Sequence, residues 1–240
     1  MISDVKQRIA GKLLDFMDVL IDKVRLYQFH PATVLMRETQ AESAEYAKLH
    51  MKGALVFRSP KEFLLFARRR APAAGLILEF GVASGTSITH LAEAGGEVHG
   101  FDSFEGLPHD WAGRHESKGA YSTGGKLPKV PANVELHRGW FDATLPSFLA
   151  QHAQTASFIH VDCDLYSSTH CVLENLAARI VPGTVIAFDE YFNYLSWREN
   201  EFKAFREFVN KHEVEYEYIA WSYQQVAVRI LAIRGTRLGR

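Results

Sequence analysis

The chain predicts an α/β protein, a doubly wound and mostly parallel sheet with an antiparallel last strand, preceded by a helical extension. Three observations lead there. From Leu76 onward, strand-like runs near 76–80, 97–101, 133–137, 157–162 and 184–188 alternate with helical runs near 86–94, 144–152, 168–180 and 197–212. That alternation is the mark of parallel strands joined by crossover helices. Val214 to Trp221 and Gln225 to Ile233 then follow as two strand-like runs with only Ser222, Tyr223 and Gln224 between them. So short a link forces an antiparallel pair, since parallel strands need a crossover of about a dozen residues. Finally, several apolar runs stop on acids, at Glu79, Asp102, Asp162 with Asp164, and Asp189 with Glu190. The carboxyl ends of parallel strands share one rim, and ligands bind in the crevice beyond it, so these acids are expected in one cleft.

Composition narrows the function classes. At 240 residues the chain suits one large α/β domain, or one domain with a helical extension. With 27 basic against 28 acidic side chains the net charge is −1, which argues against nucleic acid as partner. Two cysteines, Cys163 and Cys171, are too few for a disulfide scaffold and form no CxxC pair, so a reducing, cytoplasmic setting is expected. The first residues are polar, and no stretch reaches the about 20 apolar residues of a membrane helix, so a soluble, unprocessed protein without a membrane partner is expected.

The elements before the sheet follow from periodicity and capping. Val5, Ile9, Leu13, Phe16, Leu20 and Val24 recur every three or four residues among charged ones, an amphipathic helix. Glu42 to Lys52 also reads as helix. Pro60 to Arg70 does so with Ser59 as N-cap and Pro60 at the first helical position. Its terminal Arg68, Arg69 and Arg70 read as a solvated helix end. Residues 1–54 are therefore expected to be a helical extension serving as a dimer contact or lid, and 55–240 the ligand-binding domain. The glycine-rich stretch Ser103 to Val130 lacks periodicity and reads as a binding loop or lid beside the rim.

Leu76 to Phe80 is a buried-type strand from which Gly81 to Gly85 (GVASG) turns into a helix. Glycines permit the turn, and the helix start offers free N–H groups. Asp102 follows Gly81 by 21 residues, where a carboxylate accepts from ribose hydroxyls. A dinucleotide fingerprint needs a glycine where Ala83 stands, so a diphosphate would be crowded. Glu79 just before the turn favours a cationic ligand. S-adenosylmethionine, with a sulfonium, an ammonium and a ribose but no phosphate, fits better than NAD or ATP.

Residues 79–85 (EFGVASG), 101–108 (FDSFEGLP), 139–146 (GWFDATLP), 160–169 (HVDCDLYSST) and 188–191 (FDEY) together resemble class I S-adenosylmethionine-dependent methyltransferases of the group typified by macrocin O-methyltransferase. The resemblance covers about residues 55–235. It implies the Rossmann-like, seven-stranded methyltransferase sheet. It also implies that Glu79, Gly81, Ser84, Gly85 and Ser87 face the amino-acid half of the cofactor, that Asp102 and Ser103 hold the ribose, and that Asp142 sits by the adenine. A plain first-turn helix acid is the other reading of Asp142.

Methyl transfer to oxygen needs an aligned nucleophile and help with its proton. Oxygen-only ligands suit Mg2+. Likeness to metal-dependent O-methyltransferases implies Asp162, Asp189 and Glu190 as metal ligands, with Asp162 also catalytic. Catechol-type relatives have Asp-Asn where Asp189-Glu190 stands and a lysine base where Leu165 stands, so the base stays open among His160, His109, His115 and Tyr191. Asp164 is expected to cap the helix that follows it. Phe202, Phe205 and Phe208 read as core, and Tyr194 and Trp197 as lining of an acceptor pocket. The expected function is O-methylation of a small hydroxylated acceptor such as a sugar or glycosylated natural product. A metal-independent enzyme for phenols or amines, and a non-catalytic cofactor-binding protein, are the competing readings.

Overall fold

The computed structural model describes residues 2–235, with side chains from residue 11 onward, so Val5 and Ile9 of the expected stripe have side chains outside the described ones. Two helices come first, α1 (Ile2–Phe29) and α2 (Pro31–His50). The break falls at His30, whose Nδ1 accepts from the Ala32 N–H at 3.1 Å while Pro31 opens α2. The expected helix at 42–52 is thus the second half of a longer one. After β1 (Leu55–Val56), α3 (Pro60–Arg70) begins where expected, the Ser59 hydroxyl accepting from the Glu62 N–H at 3.3 Å. At its end Arg68 is buried, with its guanidinium 3.5 Å from the Gly95 carbonyl oxygen, which corrects the reading of all three arginines as solvated.

The sheet then builds through β2 (Leu76–Phe80), α4 (Thr86–Glu93), β3 (Val98–Asp102), β4 (Val134–Arg138), α5 (Phe141–Gln151), β5 (Ala156–Val161), α6 (Tyr166–Leu176), β6 (Val185–Phe188), α7 (Glu201–His212), β7 (Val214–Trp221) and β8 (Val226–Ile233). Strand order is β1-β7-β8-β6-β5-β2-β3-β4. Every pairing is parallel except those of β8, which lies antiparallel between β6 and β7. The antiparallel last strand is as expected. The count is eight rather than seven, because β1, only two residues long and pairing with β7 at the edge, is too short to carry a period.

Alternation along the strands sorts the core into two layers. Leu76, Leu78, Phe80, Ile159, Val161, Ile186 and Phe188 pack on one face, under α5, α6 and α7. Ile77, Phe158, Val185 and Ala187 pack on the other, with Phe63 and Leu64 of α3 and Ile88 and Leu91 of α4. Glu79 and His160 have the parity of this second face, and β2 and β5 bring them into register as direct partners.

The stretch from Ser103 to Val130 is anchored by Phe104, Leu107 and Trp111, all buried. Leu107 and the Gly119–Ala120 segment exchange backbone hydrogen bonds, and a Cβ on Gly106 would meet the Ala120 carbonyl oxygen at 2.3 Å. Helix α2 is tied to the segment following β6. The Asn193 N–H donates to Ser43 at 3.1 Å, and Glu42 takes the Arg198 guanidinium at 2.6 Å and the Trp197 indole N–H at 3.3 Å. Among the described residues no helix is long and apolar enough to cross a membrane.

Candidate active site

The turn after β2 is set by close packing of backbone. Gly81 has φ +92°, and a Cβ there would lie 1.6 Å from the Asp162 carbonyl oxygen, so no side chain fits between the ends of β2 and β5. Ala83 takes the left-handed region at φ +42°. Gly85, at φ +83°, starts α4. Asp102 braces this loop: its Oδ2 accepts from the Val82 and Ala83 N–H groups, each at 2.8 Å, and its Oδ1 from the Phe104 N–H at 2.7 Å. A carboxylate offers about four lone-pair sites, so one on Oδ1 remains for a ligand.

Two cavities flank the loop and share Val82, Ala83 and Asp162. The first, about 240 Å3, is lined among others by Gly81, Asp102, Ser103, Tyr121, Trp140 and Phe141, and it also reaches Asp164 and Glu190. The second, about 430 Å3, is lined by Ser84, Thr86, Ser87, Lys61, His160, Asp189 and Gln225 among others. Of the expected cofactor residues, Gly81, Asp102 and Ser103 face the first lobe, and Ser84 and Ser87 the second. Glu79 lines neither. It is fully buried, and accepts from the Ser87 hydroxyl at 3.0 Å and the His160 Nδ1–H at 2.9 Å. Asp142 is exposed in the first turn of α5 and lines neither lobe, while Trp140 and Phe141 beside it do.

The acids of the rim divide into two overlapping groups. His160, Asp162 and Asp189 bring ligand atoms within 4.8 Å of one another, and so do Asp162, Asp164 and Glu190. Strand alternation explains the division, since Asp189 continues the face of Ala187 and His160 while Glu190 turns to the opposite side. The expected trio Asp162, Asp189 and Glu190 therefore meets around Asp162 without forming one closed set. Burial and mutual repulsion push Asp162 and Glu190 well above the usual carboxylate range. Burial, opposed by a hydrogen bond from Glu190 and reinforced by the charge of Asp189, pushes Asp164 to about 7. Asp189 is instead held low. Burial would raise it, but His160 and Gln225 outweigh that.

His160 stands between Glu79 and Asp189, with Nε2 3.8 Å from Asp189 Oδ1, an ion-pair contact longer than a hydrogen bond. Burial alone would lower its pKa, yet these two carboxylates carry it well above the ordinary imidazole value. A histidine so held is a cationic strut rather than a free base. His109 is exposed with Nε2 2.9 Å from Ser167, His115 is exposed beside Glu116, and the Tyr191 hydroxyl pairs with Tyr218 inside the core.

Three further readings change. Asp164 caps nothing. Leu165 is the N-cap of α6, while Asp164 sits at φ +65°, a conformation that turns its side chain to the acidic cluster instead of the helix N–H groups. Tyr194 and Trp197 are buried, packed against Trp111 and against Tyr46 and Phe202, so they are core. Glu201, which sequence reasoning missed, is fully buried and accepts from the Glu190 N–H at 3.0 Å. Its place in the first turn of a helix disguised it as an ordinary helix-start acid.

Removing His160 leaves Glu79 and Asp189 facing each other without a cation. His160→Ala is expected to cost about 3–5 kcal/mol of stability in urea denaturation. A loss below about 1 kcal/mol would show that the strut carries no charge.

Residues 78–191 match the family described as a methyltransferase domain. The chain is 36% identical to the 8-demethyl-8-(2,3-dimethoxy-alpha-L-rhamnosyl)-tetracenomycin-C 4'-O-methyltransferase of Streptomyces olivaceus, over 38% of this chain and 40% of that relative. It thus spans less than half the length of the curated relative it matches. Among solved structures it is similar to the calicheamicin methyltransferase CalS11 (TM-score 0.56, 20% identity, 89% of this chain and 85% of that one). It is also similar to the O-methyltransferase NovP (TM-score 0.56, 21% identity, 71% and 79%). At these identities the two structures speak for the fold. Over residues 78–191 the chain thus carries a match to a methyltransferase domain, and its fold is the one seen in CalS11 and NovP.

Proposed function

We propose that the protein methylates a hydroxyl of a small, sugar-bearing molecule, with Mg2+ held by Asp162, Asp189 and Glu190. The observation that carries this reading is the acidic cluster at the seam between the two lobes, with Asp162 common to both. A ligand with two dissimilar ends suits such a cleft. The adenosine would lie with Asp102, Ser103, Trp140 and Phe141, and the amino-acid end with Ser84, Ser87 and the free N–H groups at the start of α4. Asp142, in the first turn of α5 next to Phe141, would stand near the adenine, and Glu79 would orient Ser87 and His160 behind the amino-acid end. The relative from Streptomyces olivaceus is named for O-methylation on a rhamnosyl compound, which supports a sugar hydroxyl as acceptor.

The donor set fits a hard divalent cation. Asp162, Asp164 and Glu190 bring oxygen-only ligand atoms within 4.8 Å of one another, with Asp189 adjoining Asp162 on the His160 side; a cation there would relieve the crowding that raises Asp162 and Glu190, and Glu190 Oε2 has no hydrogen-bond partner. When bound, Mg2+ would polarise the acceptor hydroxyl, and S-adenosylmethionine supplies an electrophilic methyl on its sulfonium. The chain's own work is alignment and proton handling. Asp164 lines the first lobe beside Asp162 and Glu190, and is the group placed to take the hydroxyl proton as oxygen attacks the methyl carbon. Tyr121, Leu107 and Pro108 of the anchored loop cover that lobe and limit water. Cys163 and Cys171 are unpaired, consistent with the cytoplasmic location that is part of this reading.

Residues 1–54 form, in this reading, a helical extension that pairs with a second copy. Helix α1 exposes Leu13, Phe16, Leu20 and Val24 along one stripe, each close to or above half exposed. Leu14, Met17, Val19 and Ile21 are exposed beside them, and large exposed apolar surface of this kind marks an interaction site that a second copy would cover.

Methyl transfer to rhamnosylated acceptors, followed by product mass, tests the enzyme reading. Asp189→Ala is expected to remove metal-stimulated turnover and keep S-adenosylhomocysteine affinity, and Asp164→Asn to lower kcat by about 10²–10⁴-fold with the same affinity. Full activity in chelator would contradict the metal, and unchanged kcat in Asp164→Asn would contradict the base. For the extension, sedimentation should give a dimer, and Phe16→Asp with Leu20→Asp a folded monomer. A monomeric parent chain would overturn the pairing.

A further inference from the structure

On the face of the sheet covered by α5, away from the cleft, three histidines gather with a glutamate. His99 is the second residue of β3, about 10 Å along the strand from Asp102 at the rim. Its register partner on the edge strand β4 is Glu135, and His137 lies two residues further, opposite Phe101. All three side chains share the parity of one face. His99 is buried at 3% exposure, whereas Glu135 is more than half exposed, so the group opens to solvent at the sheet edge.

His99 Nδ1 lies 3.2 Å from His137 Nε2 and 3.5 Å from Glu135 Oε2, and the three atoms are within 4.8 Å of one another. Ligands about 2.0–2.1 Å from a shared tetrahedral ion stand about 3.3–3.4 Å apart, so the two short separations bracket that edge length. Hydrogen bonding among the three leaves lone pairs over. At most one N–H can be shared across the His99–His137 contact, and the carboxylate brings acceptors only. His152 stands beside them, its ring 5.3 Å from that of His99, with Nδ1 donating to the Phe148 carbonyl oxygen at 2.9 Å. That bond fixes the tautomer and leaves a lone pair on Nε2.

We propose that His99, Glu135 and His137 form a site for a d-block divalent cation, Zn2+ foremost, separate from the acidic cluster of the cleft. Two imidazole nitrogens are borderline ligands, and joined to one carboxylate oxygen they suit Zn2+ better than Mg2+, which takes oxygen donors. The ion would tie β4, the last strand of the sheet, to β3. Just past β4 come Trp140 and Phe141, which line the first lobe, so the clamp would steady that wall from the far end of its strand.

The test uses the full chain, stripped with chelator, dialysed, and titrated with Zn2+ while Mg2+ is in excess. Elemental analysis should give one tightly held zinc per chain, and Co2+ in its place should show the intense visible absorption of a four-coordinate ion. His137→Ala and Glu135→Gln should each lose that zinc, with affinity falling by more than the about 10–100-fold that loss of an outer-shell partner costs. Asp189→Ala should keep it. Zinc should raise the melting temperature of the parent chain and of Asp189→Ala but not of His137→Ala. Glu135→Gln, at an exposed edge position, serves if His137→Ala fails to fold. Equal zinc content in the parent chain and Glu135→Gln, or loss of zinc in Asp189→Ala instead, would overturn the proposal.

Discussion

The closeness of β2 to the start of the turn after β5 is the constraint on which the site depends. Gly81 lets its backbone touch the Asp162 carbonyl, and only a residue without a Cβ allows this. Because the strands meet there, Glu79 and His160 fall into register, Asp189 completes an acid–imidazole–acid row, and Asp162 projects where both lobes of the cleft end. Moving these strand ends apart would separate the glycine loop from the acids. The charge pattern follows from that geometry. Asp162, Asp164, Glu190 and Glu201 crowd together, so burial and repulsion raise them all, while Asp189, facing His160, stays low.

The surrounding elements hold this rim rather than merely enclose it. Asp102 spends most of its acceptor capacity on bracing the glycine loop and the start of the segment after β3. Glu201 pins the Glu190 backbone, and Gln225 from the start of the antiparallel strand region donates to Asp189. Helix α2 reaches the same segment through Ser43 and Glu42, which couples the N-terminal helices to the acidic pair.

Much of this was legible in the sequence, because parallel strands that end on acids leave little freedom. The strand positions, the antiparallel hairpin, the Ser59 cap and the meeting of Asp162, Asp189 and Glu190 at one rim follow from period, spacing and polarity. What escaped depends on longer-range geometry. A two-residue strand such as β1 has no period to read. Asp164 looked like a cap because Asp before a helix is one, and only its left-handed backbone turns it to the cluster. Tyr194 and Trp197 looked like pocket lining because they follow the acidic pair, yet α2 and the segment around Trp111 bury them. Glu201 gave no signal of its own, since a first-turn helix acid is usually solvated and only the fold turns it inward to the Glu190 N–H.

The central claim is that one cleft binds S-adenosylmethionine beside a cation site built from the rim acids. Calorimetric titration with S-adenosylhomocysteine, in Mg2+ and then in chelator, tests it most directly. The account predicts micromolar binding in both conditions, with a separate Mg2+ isotherm that Asp189→Ala abolishes. No binding of S-adenosylhomocysteine in either condition would contradict it.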